Sequence, residues 1–336
     1  MDSNKVLITG GAGYIGSHCA LSLIERGFNV VICDNLSTGN IETIETIKSC
    51  GNLTFYNCDL TDTNSLFNIF KMEKFDAVIH FAAFSQVGES VLNPQKYYLN
   101  NVGGTLNLLN AMLNYNVKKI VFSSSAAVYG EPKHSPISEE HSTEPINPYG
   151  QSKLIVEKIL DDYDKAYKLR SVRLRYFNVI GTDKFSRIGE CHNPETHLIP
   201  NILISSFENN KTFEIFGNDY NTNDGTCIRD YIDINDLVEA HILALNYLNK
   251  DGKTVFLNLG TNCGKSVKEI FNICEKVLNK KIIYKICPRR IGDPEKLIAD
   301  NKKAYTILNW QPKHTLENSI SSAYSWIKKQ KENEHA

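Results

Sequence analysis

Short apolar runs alternate with helically spaced ones through the first half of the chain. Val6-Leu7-Ile8 leads into a glycine-rich turn, and Tyr14 to Arg26 then keeps one apolar face until Gly27. The same alternation continues with Val30 to Cys33, which ends at Asp34, and with Leu53 to Tyr56 before a helical stretch around Leu66 to Phe70. Ala77 to Phe81, a helical segment from Asn100 to Asn114, and Lys119 to Phe122 follow, then a helix over Tyr149 to Tyr167 and a strand at Val172 to Arg175. Strand and helix at this spacing predict βαβ units, right-handed crossovers and a parallel sheet covered on both faces. The fold class is therefore α/β, a doubly wound parallel sheet with a smaller α/β lobe. After Gly181 the rhythm changes. Thr182 to Pro200 reads as a long polar loop, of a length that is usually functional or disordered. The charged tail from Lys328 is expected to fray.

The first turn carries the first chemical signal. Gly10, Gly13 and Gly16 in Thr9-Gly10-Gly11-Ala12-Gly13-Tyr14-Ile15-Gly16 leave room for a tight turn, for an approaching pyrophosphate and for helix-on-strand packing. The helix that follows offers free N–H groups and a positive dipole end to phosphates. The next strand ends at Asp34, where a carboxylate accepts from adenosine ribose hydroxyls and repels a 2′-phosphate. That combination predicts a Rossmann-type site for NAD over NADP. Residues 1–180 are then the NAD-binding domain and 181–336 a smaller domain for the second ligand, with a segment near 231–260 that could return to the first. Asp59 and Leu60 follow the third strand and are placed to meet adenine, although Asp59 or Thr61 could equally cap the next helix.

Tyr149 and Lys153 stand four apart at the start of a helix and share a face. A free tyrosine, with a pKa near ~10, is a poor base at neutral pH. A lysine ammonium beside it and a positive nicotinamide ring stabilise the phenolate and lower that value. Ser123-Ser124-Ser125 closes the fifth strand at the carboxyl edge of the sheet, where doubly wound folds hold ligands. A hydroxyl there can bridge the tyrosine and a substrate alcohol.

Composition narrows the partners. The 336 residues are 42% hydrophobic and 22% charged, with a net charge of −1, which leaves no electrostatic footprint for nucleic acid or an anionic membrane. An anionic ligand must be held by a few placed cations and backbone N–H groups. The nine cysteines are odd in number and scattered without a CxxC pair, so unpaired thiols in a reducing compartment are expected, and neither disulfides nor metal ligands. Cys33, Cys58 and Cys274 fall in apolar segments, where a thiol packs as a small hydrophobe. Met1 to Lys5 is too short and polar for a signal peptide, and no apolar run reaches membrane-spanning length. A cytoplasmic location follows, with the Asn-X-Ser/Thr-type triplets at Asn52 and Asn210 as chance matches.

Together these motifs make the chain resemble the extended short-chain dehydrogenases/reductases, and among them the family of 4-epimerases acting on UDP-glucose and UDP-galactose, over nearly its whole length. The match runs through Thr9 to His18, Asp34-Asn35-Leu36, Phe81-Ala82-Ala83, Val87 to Ser90, Tyr97 to Thr105, Ser123 to Gly130 and Asn147 to Lys153. It continues in Arg175 to Asn178, Phe216 to Tyr220, Arg229-Asp230-Tyr231 and Arg289 to Asp293. The resemblance implies that Tyr149 takes the proton from the sugar 4-hydroxyl while hydride leaves C4 for tightly bound NAD. The 4-keto sugar then turns over and hydride returns to its other face. Ser125 assists the proton, and Lys153 holds the nicotinamide ribose. It implies NAD contacts from Gly10, Gly13, Tyr14, Ile15, Gly16, Asp34, Asn35, Asp59, Leu60, Phe81, Ala82, Ala83, Asn100, Lys153 and Tyr176. It places the substrate against Ser85, Ser125, Tyr149, Asn178, His197, Leu198 and Phe216. Arg229 and Arg290 clamp the diphosphate, Asp293 accepts from the uridine ribose, and Leu297 faces the sugar. It also implies a homodimer, for which the helices near Asn100 to Asn114 and Tyr149 to Tyr167 are candidates.

Two positions depart from the family pattern. Ser85 stands where many members have a lysine, and a subgroup that resembles this chain over His192 to Pro200 also lacks that lysine. Leu297 matches a position where a bulky tyrosine blocks N-acetyl sugars, so UDP-GlcNAc and UDP-GalNAc are expected as further substrates. The rivals are less well equipped. A 4,6-dehydratase needs an acid/base pair after the serine, where Ala126 and Ala127 stand here. No group for a glucuronate carboxylate is identifiable. A non-catalytic NAD sensor has no need of Tyr149 and Lys153.

Overall fold

In the computed structural model, which describes residues 5–192, 194–207, 212–290 and 293–334, strands with largely buried apolar centres lie side by side. In chain order the strands are β1 (Lys5–Thr9), β2 (Asn29–Asp34), β3 (Leu53–Asn57), β4 (Ala77–His80), β5 (Lys119–Ser123), β6 (Arg170–Tyr176), β7 (Asn178–Ile180), β8 (Phe213–Phe216), β9 (Ile228–Asp233), β10 (Val255–Leu259), β11 (Gly264–Ser266), β12 (Tyr284–Cys287) and β13 (Lys296–Leu297). The helices are α1 (Tyr14–Glu25), α2 (Ile41–Cys50), α3 (Thr63–Met72), α4 (Val87–Leu92), α5 (Pro94–Tyr97), α6 (Thr105–Asn114), α7 (Pro148–Tyr167), α8 (Leu198–Ser205), α9 (Ile234–Asn249), α10 (Val267–Leu278), α11 (Lys302–Leu308) and α12 (Leu316–Glu334). Asn210 and Lys211 of the second triplet, and Ile291 and Gly292 of the arginine motif, lie outside the described residues.

Seven strands form an all-parallel sheet in the order β10-β6-β5-β4-β1-β2-β3. Side chains alternate across it, as the pleat requires. Val6, Ile8, Val30, Ile32, Ile79 and Val121 pack against α1, α2 and α9. Leu7, Val31, Val78 and Ile120 pack on the other side against Leu66, Phe70, Leu108, Met112, Val156 and Leu160 of α3, α6 and α7. Both faces are thus covered, which is why these strands read as continuous apolar runs. The order reverses between β1 and β4, and that switch point opens the cleft.

The second lobe has its own core, with Ile199, Ile202, Leu203, Phe213, Ile215, Ile270, Phe271, Ile320 and Trp326 among its buried residues. It surrounds a small sheet of β11, β9, β13 and β7 and a pair of β8 and β12. Helix α10 starts with a complete capping box between Ser266 and Glu269.

Three local expectations need correction. Neither Asp59 nor Thr61 caps α3; Asp62 does, accepting from Asn64 N–H and Ser65 N–H. The segment from Asn100 does not begin as an α-helix, because Tyr98–Gly104 is wound as a π-helix before α6. The tail does not fray at Lys328, since α12 runs on to Glu334 while Trp326 and Ile327 anchor it in the second core.

Candidate active site

The cleft lies at the carboxyl ends of β1 to β6. Gly10 leaves β1 at φ +73, and a Cβ there would stand 2.5 Å from the Ala82 backbone nitrogen. Both facts exclude a side chain, so the turn and the β4 exit lie back to back. A Cβ on Gly16 would strike the Gly10 carbonyl oxygen, which lets α1 begin directly over the strand. Gly13 is the N-cap of α1 and offers no side-chain acceptor to the first-turn N–H groups. That end of the helix is free to receive an anion.

Asp34 forms the neighbouring wall. Its Oδ2 accepts from Ala12 N–H at 2.9 Å and its Oδ1 from Leu36 N–H at 2.8 Å. Burial pushes its pKa up against those two bonds. A carboxylate has lone pairs left for ribose hydroxyls. Asn35 Nδ2 donates to Asp59 at 2.7 Å and so joins the ends of β2 and β3. The glycine turn, the uncapped helix end and the remaining lone pairs of Asp34 suit a dinucleotide's pyrophosphate and ribose.

Helix α7 carries the reactive face. Asn147 caps it through Gly150 N–H, and Pro148 occupies its first turn. Tyr149, Lys153 and Glu157 follow at four-residue steps. Tyr149 is half-buried and hydrogen-bonded to Ser125. Burial raises its pKa, and the Ser125 bond opposes that rise. Lys153 Nζ donates to the Ser123 carbonyl at 2.8 Å and stands 5.9 Å from the Tyr149 ring centroid. Burial lowers Lys153 to about 7, with Glu157 acting in the other direction. The expected lowering of the tyrosine by its lysine is therefore not produced by the chain's own charges. Lys153 is turned onto the β5 carbonyl, and burial dominates both groups.

Behind this face lies a polar network that the sequence reading did not single out. Glu157 binds Arg175 through two bonds, from Nε at 2.9 Å and Nη2 at 2.5 Å, and accepts from the Ser124 hydroxyl at 2.6 Å. Arg175 also reaches Tyr129, which donates to Asn258. Tyr176 and Ser123 share a hydrogen bond at the strand ends. Asn101 bonds Ser152 of α7 and both backbone groups of Phe84, stapling the β4 exit to the reactive helix. The signal for Glu157 was its place one turn beyond Lys153.

All the expected dinucleotide contacts line one cleft: Gly10, Gly13, Tyr14, Ile15, Gly16, Asp34, Asn35, Asp59, Leu60, Phe81, Ala82, Ala83, Asn100, Lys153 and Tyr176. Ser85, Ser125, Tyr149, Asn178, His197 and Leu198 line it too. The remaining candidates do not. Arg229 is buried and ion-paired with Asp293, and it pairs in register with Leu297. Arg290 is exposed and lies 4.2 Å from the Phe216 ring. Leu297 packs beside Phe177 on a small cluster of Ala126, Val128, Tyr129, Ile137 and Leu154. Nor does the next element supply the cation absent at Ser85. Lys96 lies over the Phe84 ring at 4.1 Å but pairs with Glu89 at 2.6 Å.

The loop before α8 contributes His192 and His197 to the cleft wall. Burial works against the charge on Glu190, yet the two histidines beside it hold its carboxyl down at about 2.

Residues 7–323 match the family model described as GDP-mannose 4,6 dehydratase. The chain is 50% identical over 324 residues to the UDP-glucose 4-epimerase of Halalkalibacterium halodurans, covering 96% of this chain and 95% of that one. It superposes with a TM-score of 0.93, at 38% identity, on the UDP-glucose 4-epimerase of Bifidobacterium longum in complex with NAD+ and UDP, covering 97% and 99% of the two chains. The UDP-Glc/GlcNAc 4-epimerase of Campylobacter jejuni superposes with a TM-score of 0.85 at 41% identity, covering 97% and 100%.

Proposed function

Because the chain belongs to the UDP-glucose 4-epimerases within the GDP-mannose 4,6 dehydratase family, we propose that it interconverts UDP-glucose and UDP-galactose by inverting C4. The activity is that of an isomerase, it passes through a 4-keto sugar, and NAD is its cofactor. Bound NAD supplies a hydride acceptor and donor at C4. The protein supplies the rest. Tyr149 takes the proton of the 4-hydroxyl and later returns one, with Ser125 bonded to it as a bridge to the sugar. Lys153, now donating to the Ser123 carbonyl, would hold the nicotinamide ribose. Asp34 selects an unphosphorylated adenosine ribose.

The anchoring end is read from the second lobe. Arg229 and Arg290 bind the diphosphate, since guanidinium pairs bidentately with phosphate oxygens. Asp293 accepts from the uridine ribose, and Asn178, Leu198 and Phe216 shape the nucleotide pocket. Binding energy spent there leaves the sugar free to turn over. Residues 1–180 with the returning segment near 231–260 carry NAD, and the remainder carries the UDP-sugar. The enzyme works as a homodimer in the cytoplasm. No helix among the described residues is long and apolar enough to cross a membrane.

The observation that carries this reading is the Ser125–Tyr149–Lys153 face meeting the glycine turn in one cleft. Incubation with UDP-galactose, with no NAD added, is expected to yield UDP-glucose on chromatography. No conversion with or without added NAD overturns it. A second reading, that N-acetylated UDP-sugars are also interconverted, rests on Leu297 beside Phe177. Absence of turnover of UDP-GalNAc by the purified protein removes it.

A further inference from the structure

We propose that Glu190, His192, Glu195 and His197 bind one zinc ion at the rim of the cleft, and that the ion pins the loop before α8. The four side chains each bring a donor atom into a space where all lie within 4.8 Å of one another. His192 Nδ1 stands 3.1 Å from Glu190 Oε1 and 3.7 Å from Glu195 Oε2. His197 Nδ1 touches the same Glu190 oxygen and stands 3.9 Å from Glu195 Oε1. Four donors around tetrahedral zinc, at bonds of about 2.0–2.1 Å, would be separated by roughly 3.3 Å. The observed separations bracket that value.

A purely hydrogen-bonded reading leaves something unexplained. His192 Nδ1 is sealed from solvent and has no hydrogen-bond partner of proper geometry, although two carboxylates face it. As an imidazolium His192 would face both carboxylates without a well-aligned hydrogen bond to either, whereas a divalent cation in place of the proton satisfies all four groups. Two imidazoles and two carboxylates also balance the charge of a divalent ion. Imidazole with carboxylate suits zinc better than the hard cations, which prefer six or more oxygens.

The outer contacts are in place. Glu195 Oε1 accepts from the N–H groups of Thr196 and His197 at 2.7 and 2.8 Å, which leaves Oε2 free to turn inward. Trp326 Nε1 donates to the Glu190 carbonyl at 2.9 Å and ties the ligand backbone to α12. Such bonds orient ligands before a metal arrives. The scattered cysteines gave no reason to expect a metal, and these four residues are a separate donor set. His197 is the N-cap of α8, and Leu198, Ile199 and Pro200 after it line the cleft, so an ion here would fix that wall.

Elemental analysis of the protein, dialysed against zinc and then against buffer, is expected to give about one zinc per chain. His192→Ala and Glu190→Gln should each abolish it, and chelation should lower the thermal midpoint, with zinc restoring it. Cobalt added to the chelated wild-type protein should give tetrahedral visible absorption, a readout that does not depend on the variants folding. Zinc content unchanged in both variants, or a wild-type protein that takes up neither zinc nor cobalt, overturns the proposal. Epimerisation can persist or fail independently of these readouts.

Discussion

The dinucleotide cleft and the proposed uridine site are built differently. At the dinucleotide end the chain presents backbone: a glycine turn, an uncapped helix end and a carboxylate fixed by two main-chain N–H groups. At the uridine end that we propose, on the second lobe and outside the lining of that cleft, it presents long side chains that already have other partners. Arg229 is tied to Asp293, and Arg290 rests on Phe216. A backbone-built site is complete once the chain has folded. A site built from arginines must exchange partners, so its geometry depends on what is bound. On the proposed function the first holds a cofactor that stays, and the second a substrate that must leave.

Tyr149→Phe removes the proton acceptor while leaving both ends intact, so turnover of UDP-galactose should fall roughly 10²- to 10⁴-fold with NAD content unchanged. Loss of NAD together with activity would mean that the cofactor end is not self-sufficient. Glu157→Gln strips the counter-charge from Arg175, whose side chain and its partner are each 4% exposed. Denaturant unfolding should show about 3–5 kcal/mol lost, because the cation is left buried and unpaired.

Smaller changes sharpen the contrast. Arg229→Met should raise KM for UDP-galactose roughly ten- to a hundredfold, from the loss of about 1.5–3 kcal/mol in a charged hydrogen bond. Its kcat should move little, since the interaction is equal in ground and transition states. A fall in kcat with KM constant would instead place Arg229 in the chemistry.

The weakest effect is a pH dependence at Lys153. Its folded value, about 7, lies below the usual 10.5. Between those values the unfolded chain binds more protons, so the stability owed to this site rises with pH through that window. Below about 7 the lysine is charged in both states and carries its full burial penalty. Lys153→Met should therefore raise the thermal midpoint of NAD-free protein most near neutral pH, and the gain should shrink toward pH ~10. An equal gain at both extremes would refute the assignment.

What was legible in the sequence follows the same division. The parallel strands, the glycine turn, Asp34 and the Tyr149–Lys153 spacing are local patterns, and each has a local physical cause. The structure gathers them where the alternation of strands and helices said it would. Arg229 and Arg290 were read through resemblance alone, because nothing near them in the chain says which partner they hold. The Glu157–Arg175 pair joins a helix to the next strand across eighteen residues of chain, and only the fold brings the two charges together. Asp62 was missed as a cap because three candidate residues lie within four positions, and backbone angles decide among them. The histidines before α8 sat in a stretch read as a polar loop, where spacing alone gave no face on which to place them.

The seventh strand has a consequence for synthesis. Val255 to Leu259 pairs with Val172 to Tyr176, so the sheet that holds the cofactor closes only after the chain has travelled through the second lobe. Helix α9, which covers one face of that sheet, is also made late. On a ribosome the nucleotide half would wait with a bare β6 edge until residue 259 has emerged, exposed to mispairing for the whole interval. A chain stopped near residue 180 is thus an unfinished sheet, and its release should lead to aggregation where the full-length chain stays in solution.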